Sequence, residues 1–133
     1  MIRRQKTMKF LGGFYAFPGG RVDDADASPD LLARCLGLSA EDAEAIFPAH
    51  GPLAPLAFWV TAVRELLEES GLLLACDAAG RPVDACDPVV AAAIATARRE
   101  LVEDKTGLAE ILRRAGWYCD LHGLRHLLSL IHI

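Results

Sequence analysis

The chain has no extended basic stretch. Its 133 residues carry a formal net charge of −4, and the densest cationic run is the short "RRQK" at Arg3 to Lys6. Nucleic acid binding through a positive surface is therefore not supported. An acidic protein can still hold a polyanion if a divalent cation stands between them. Long apolar runs are lacking too. The longest, "VVAAAIATA" from Val89 to Ala97, falls well short of the roughly 20 residues that cross a bilayer as a helix. No secretory signal opens the chain, because Arg3, Arg4, Lys6 and Lys9 leave no apolar run after the start. Cysteine is sparse: Cys35, Cys76, Cys86 and Cys119 are widely spaced and form no C-x-x-C pair. That spacing argues against a zinc site or a disulfide framework, and the thiols are expected to be reduced and partly buried. Internal repeats and low-complexity linkers are absent as well. These absences leave a soluble, cytoplasmic protein with no nucleic-acid or membrane partner as the expectation. What is present is apolar: 53% of the residues are hydrophobic, enough to build one small domain around one core.

Along the chain, "FYAF" at Phe14 to Phe17 reads as a short strand, and Met1 to Arg4 as the end of another. Pro18 holds Phe17 extended, and Gly19-Gly20 then permit a tight turn. "RVDDADASPD" is an acidic loop. Ser28-Pro29 opens a predicted short helix, "PDLLARCLG", and Ser39 is a second N-cap candidate before "AEDAEAIF". "PAHGPLAP" breaks that helix. The clearest helix runs from Ala57 to Ser70, with Gly71 where a C-cap glycine belongs. Leu72 to Ala75 suits a buried strand. Asp87-Pro88 starts a long helix to about Glu103, and Thr106 to Ala115 forms another, ended by Gly116. The remaining "WYCDLHGLRHLLSLIHI" fits helix and strand equally well.

On the Ala57–Ser70 helix, Glu65, Glu68 and Glu69 fall at i, i+3 and i+4 and share one face. Trp59, Val60, Val63, Leu66 and Leu67 cluster on the other side, which is the side to be buried. Three neighbouring carboxylates repel one another, and a bound cation turns that repulsion into a site. Mg²⁺ takes oxygen ligands in octahedral geometry and suits such a face. A merely solvated acidic face is the ordinary explanation of such a helix taken alone. Arg64 lies one turn before Glu68, placed to pair with it or to steer a neighbouring glutamate. "DDAD" is no EF-hand, since the glycine and distal glutamate of that loop are missing, and Gly19-Gly20 is no Walker A loop, since no Gly-Lys-Ser/Thr follows. Among other candidates, His50 reads as a loop residue beside Gly51-Pro52. His122 and His126 have helical spacing, which seldom means metal. Phe58 and Trp59 read as packing residues, and Tyr15 and Phe17 as either pocket lining or half-buried strand.

Taken together, "FPGGRVDDAD" at Phe17 to Asp26 and "RELLEESGL" at Arg64 to Leu72 resemble the two halves of the Nudix hydrolase box. Gly20, five residues, then an acid at Asp26 gives the first half. Seven residues, "AFWVTAV", lead into Arg64, and every fixed position from Arg64 to Leu72 matches. There are two departures. Asp26 stands where the family has glutamate, so tying the loop to the helix would fall to a side chain one methylene shorter. The thirty residues Ala27 to Leu56 also interrupt the box. Loop insertions cost little closure entropy, and this one is expected to loop out from the surface. A box split in this way, preceded by Lys9-x-x-x-Gly13-x-x-x-FPGG, resembles the coenzyme A diphosphatase-like branch, with Lys9 where arginine is usual.

The resemblance implies an α/β fold, the Nudix-type α/β/α sandwich with a mixed sheet. It implies hydrolysis of a diphosphate linkage in a small nucleoside-diphosphate derivative, with coenzyme A or acyl-coenzyme A as candidates. Glu65, Glu68 and Glu69 would hold Mg²⁺ or Mn²⁺, with the Gly20 carbonyl as a further ligand. Arg64 would orient Glu65, which can serve as base unless a later loop supplies one. The cation would offset the charge of the diphosphate and lower the pKa of water.

That sandwich needs several strands after the box, and only "LLLA" is a clear one here. The fold is therefore expected to be incomplete at both ends, with residues 1–127 a partial domain. The last six residues, "LSLIHI", are what CTG-TCT-CTT-ATA-CAC-ATC encodes, a string matching a transposase end used in sequencing libraries. Adaptor read-through over 128–133 is the expectation, and a natural apolar strand the alternative. Three functional readings follow: a metal-dependent diphosphatase, an inactive fragment, and a non-catalytic nucleotide sensor. The complete set Arg64, Glu65, Glu68 and Glu69 argues against the sensor. Pairing with a second copy, as a homodimer, is one way to complete so short a sheet.

Overall fold

The computed structural model describes residues 20–48 and 51–125, together with the backbone of two short strands near the start. Those two strands, β1 (Ile2–Arg3) and β2 (Tyr15–Ala16), pair antiparallel with Ile2 opposite Ala16 and Arg3 opposite Tyr15. Next comes a 3-10 helix, Asp24–Ala27. Then follow α1 (Pro29–Leu32), β3 (Cys35–Leu36), α2 (Ala40–Ile46), α3 (Leu56–Ser70), β4 (Ala75–Cys76), α4 (Pro88–Val102), α5 (Leu108–Ala115) and β5 (Tyr118–Asp120). β5 lies in the middle of a mixed sheet, parallel to β3 and antiparallel to β4. The α/β class with a mixed sheet is thus the one expected. Among the described residues no helix is long and apolar enough to cross a membrane.

α3 organises the core. Leu56, Val60, Val63 and Leu67 follow one another at spacings of four, three and four residues, which keeps them on one stripe. Val60, Val63 and Leu67 are fully buried, each contributing on the order of 1.5–3 kcal/mol through apolar burial. Leu31, Trp59, Ile94, Leu108, Leu112 and Leu121 belong to the same cluster. Leu66, expected on the apolar side, is only half-buried. α3 ends at Gly71, whose φ of 76° is left-handed and strained for any residue with a Cβ. α4 starts on Asp87, whose side chain accepts from the amides of Val89 and Val90 at 2.8 and 3.1 Å, with Pro88 pre-set for the first turn.

Two expectations are corrected here. The helix read over "PDLLARCLG" stops at Leu32, because the next residues are taken into the sheet. The Arg34 carbonyl accepts from the Cys119 amide at 2.7 Å and the Leu36 carbonyl from Leu121 at 2.9 Å. The segment Ala27–Leu56 accordingly does not stand clear of the surface. It supplies β3, and it buries Leu31, Ala43 and Leu56 in the core. Apolar residues that can reach the core gain more by burial than a free loop gains in entropy. The ambiguous C-terminal stretch contains a strand, β5, flanked by partners on both sides. Lys9, Gly13, Phe17 to Gly19, His50, His126 and Leu128 to Ile133 lie outside the described residues, as does the side chain of Tyr15.

Candidate active site

The acidic loop closes on itself before it meets α3. The Asp26 amide donates to the Asp23 carbonyl at 2.9 Å, and the Asp23 amide donates back to Asp26 Oδ2 at 3.0 Å. This 3-10 turn points the Asp26 carboxylate inward, where only 1% of the residue remains exposed. A buried carboxylate must be paired and hydrogen-bonded. Arg64 meets it with Nε at 2.9 Å from Oδ1 and Nη2 at 3.1 Å from Oδ2. The Thr61 hydroxyl, three residues earlier on the same helix face, lies 2.9 Å from Oδ2. Asp26 therefore fastens the loop to the helix despite its shorter side chain.

The rest of the Arg64 guanidinium is equally engaged. Nη2 donates to the Arg21 carbonyl at 2.9 Å and lies 3.5 Å from Asp23 Oδ2. Nη1 sits 3.0 Å from Glu65 Oε1 and 3.0 Å from Glu68 Oε1. Four carboxylates thus surround one cation, so the cluster keeps an excess of negative charge. Burial acts to depress the arginine pKa, but its bonds to Asp26 and Glu68 outweigh that and hold it above the ordinary value. Burial also raises the Glu65 carboxyl. Arg64 opposes this, while repulsion from Glu68 and Glu69 adds to it.

Gly20 lies against the same carboxylate. A Cβ at this position would fall 2.0 Å from Glu65 Oε1, so only glycine lets the main chain approach so closely. The structure brings together Gly20, Arg64, Glu65 and Glu68. It does not bring in Glu69, which is exposed on the last turn of α3. Among the described residues no three His, Cys, Asp or Glu side chains gather into a group able to hold a metal ion. The donor chemistry nonetheless suits a hard divalent cation, since Glu65, Glu68 and the Gly20 main chain offer oxygen only. Arg64 Nη1 stands between the two glutamates and would have to yield one of them to such an ion.

No family model matches the chain, and no solved structure matches it. Among curated proteins it is similar to acyl-coenzyme A diphosphatase NUDT19 of Gallus gallus, with 29% identity over 155 aligned residues. The alignment takes in 93% of this chain and 40% of that protein. The chain therefore spans well under half the length of its curated relative.

Two positioning residues escape the sequence reading. Thr61 has only its i, i+3 relation to Arg64 as a signal. Arg98 has none: it reaches across from α4 to the C-terminal end of α3, donating to the carbonyls of Glu68 at 2.9 Å and Glu69 at 3.4 Å. Other candidates have ordinary surroundings among the described residues. Trp59 is core, Phe58 packs edge-on against Phe47 at 4.8 Å between ring centroids, and His122 Nδ1 lies 2.7 Å from Asp120 Oδ1.

Proposed function

We propose that this chain carries the cation-binding part of a Nudix-type diphosphate hydrolase. The substrate in this reading is a small nucleoside-diphosphate derivative of the coenzyme A or acyl-coenzyme A class. The observation that carries it is the single guanidinium of Arg64, which joins Asp26 of one half-motif to Glu65 and Glu68 of the other. The likeness to an acyl-coenzyme A diphosphatase supports the same reaction.

In this reading Glu65 and Glu68, with the Gly20 carbonyl, would hold Mg²⁺ or Mn²⁺, and Glu69 would turn in from the exposed last turn of α3 to join them. When bound, the ion supplies Lewis acidity and offsets the negative charge of the diphosphate. Arg64 orients Glu65 through Oε1 and is itself locked by Asp26. Glu65 takes the proton from the attacking water unless a later loop supplies the base. Arg98 fixes the α3 terminus on which Glu68 and Glu69 stand.

The test is hydrolysis of coenzyme A and acetyl-coenzyme A with Mg²⁺ or Mn²⁺, scored by nucleotide product, alongside Glu68→Gln. Cation-dependent product that falls at least 100-fold in the variant is expected. Turnover near wild type in Glu68→Gln sinks the ligand assignment. Hydrolysis of other nucleoside diphosphate derivatives but neither thioester nor free coenzyme A sinks the substrate class.

A further inference from the structure

Apart from the carboxylate cluster, the sheet holds a second reactive pair. Cys35 of β3 and Cys119 of β5 are direct register partners on adjacent parallel strands. Adjacent strands run roughly 4.7–4.9 Å apart, inside the Cα separation of roughly 4.4–6.8 Å that a disulfide spans. Side chains on register partners leave the same face of the sheet. Cys35 Sγ donates to the Leu31 carbonyl at 3.4 Å. Cys35 is partly exposed, whereas Cys119 is fully buried.

We propose that Cys35 and Cys119 form an intramolecular dithiol that a peroxide converts to a disulfide. Cys35 is the sulfur a small oxidant can reach. Its thiolate attacks one peroxide oxygen, giving the sulfenic acid and releasing hydroxide. The Cys119 sulfur then displaces that oxygen, and water leaves with the Cys119 proton. Overall, two thiols and one hydrogen peroxide give one disulfide and two waters. The neighbouring Cys119 thiol lowers the Cys35 thiol below its ordinary value, and the same interaction together with burial raises Cys119. The pair is thus divided into an attacking and a resolving thiol.

The other two cysteines cannot substitute. Cys76 is the register partner of Tyr118, one place along β5, so it points to the opposite face. Cys86 is exposed in the loop before α4.

The experiment uses the full chain. It is treated with hydrogen peroxide in native buffer and, separately, in concentrated urea, then alkylated and digested with trypsin. Cleavage after Arg34, Arg64, Arg98, Arg114 and Arg125 places Cys35 in 35–64, Cys119 in 115–125, and Cys76 with Cys86 in 65–98. Linkage of 35–64 to 115–125 alone is expected under native conditions, with mixed linkages in urea. A Cys119→Ser chain should instead leave Cys35 as a sulfenic acid that dimedone traps. Native samples with no such link, or with the same mixture as in urea, overturn the proposal.

Discussion

Asp26→Asn tests the joint between the two half-motifs most directly. The amide has the shape of the carboxylate but neither its charge nor its acceptor count. Oδ2 takes the Asp23 amide, the Thr61 hydroxyl and Arg64 Nη2, so the amide oxygen will occupy that place. Its NH₂ group then faces Arg64 Nε, which lies 2.9 Å from Oδ1, donor against donor. Breaking a buried pair from one side costs about 3–5 kcal/mol. Arg64 keeps Glu65 and Glu68, so the lower end applies, about 3 kcal/mol. For a chain of this size that lowers the melting temperature by roughly 10–15 °C. Circular dichroism melts and urea titrations of wild type, Asp26→Asn, Arg64→Gln and the double variant measure it. A coupling energy of about 2 kcal/mol between the two sites is expected. Additive single effects, or a melting shift under about 3 °C, would show that Asp26 and Arg64 are neighbours rather than a joint.

The remaining predictions concern the same cluster and its supports. Gly20→Ala pushes aside the flexible end of Glu65 rather than any backbone, so stability should change by less than about 1 kcal/mol while Mn²⁺ affinity, read by electron paramagnetic resonance, falls at least tenfold. Arg98→Gln removes donors to the Glu68 and Glu69 carbonyls and should cost about 1 kcal/mol of stability, with Arg98→Lys recovering part of it in urea titration. Glu100 bonds Arg114 across α4 and α5, and that bond holds its carboxyl below the ordinary value of 4.5. Such a group stabilises the fold above pH 4.5 and loses that contribution as pH falls through its lowered value. Glu100→Gln should therefore melt below wild type at pH 7 and level with it in more acid solution; a pH-independent gap would refute this.

How much was legible depended on the range over which each interaction acts. α3 was readable because its apolar stripe and acidic face repeat every turn, and Arg64 and Glu68 are one turn apart. The role of Asp26 was readable only from the spacing of the box, since nothing local says that a carboxylate 38 positions away will meet Arg64. β3 was not readable: two residues are too few for alternation to show, and Leu31 to Cys35 carry the apolar pattern of a short helix. β5 was ambiguous because three residues, buried Cys119 between half-buried Tyr118 and Asp120, are too few for their alternation to stand out in the sequence. The gathering of Glu65 and Glu68 about Arg64, without Glu69, depends on side-chain packing that a helical wheel does not contain.

The position of β5 governs the order in which the sheet can be made. β3 and β4 never bond to each other; both bond to β5, which comes last of the three in the chain. As the polypeptide leaves the ribosome, α3 can coil and the Asp26–Arg64 bond can close. The edges of the first two strands that face β5 must then wait open until Tyr118–Asp120 emerges and slides between them. Arg34 binds the Trp117 carbonyl from 83 positions away, so even the contact beside that insertion closes a long loop. Helix assembly therefore precedes sheet assembly during synthesis, and a chain stalled before Tyr118 would present two unpaired strand edges to the chaperones around it.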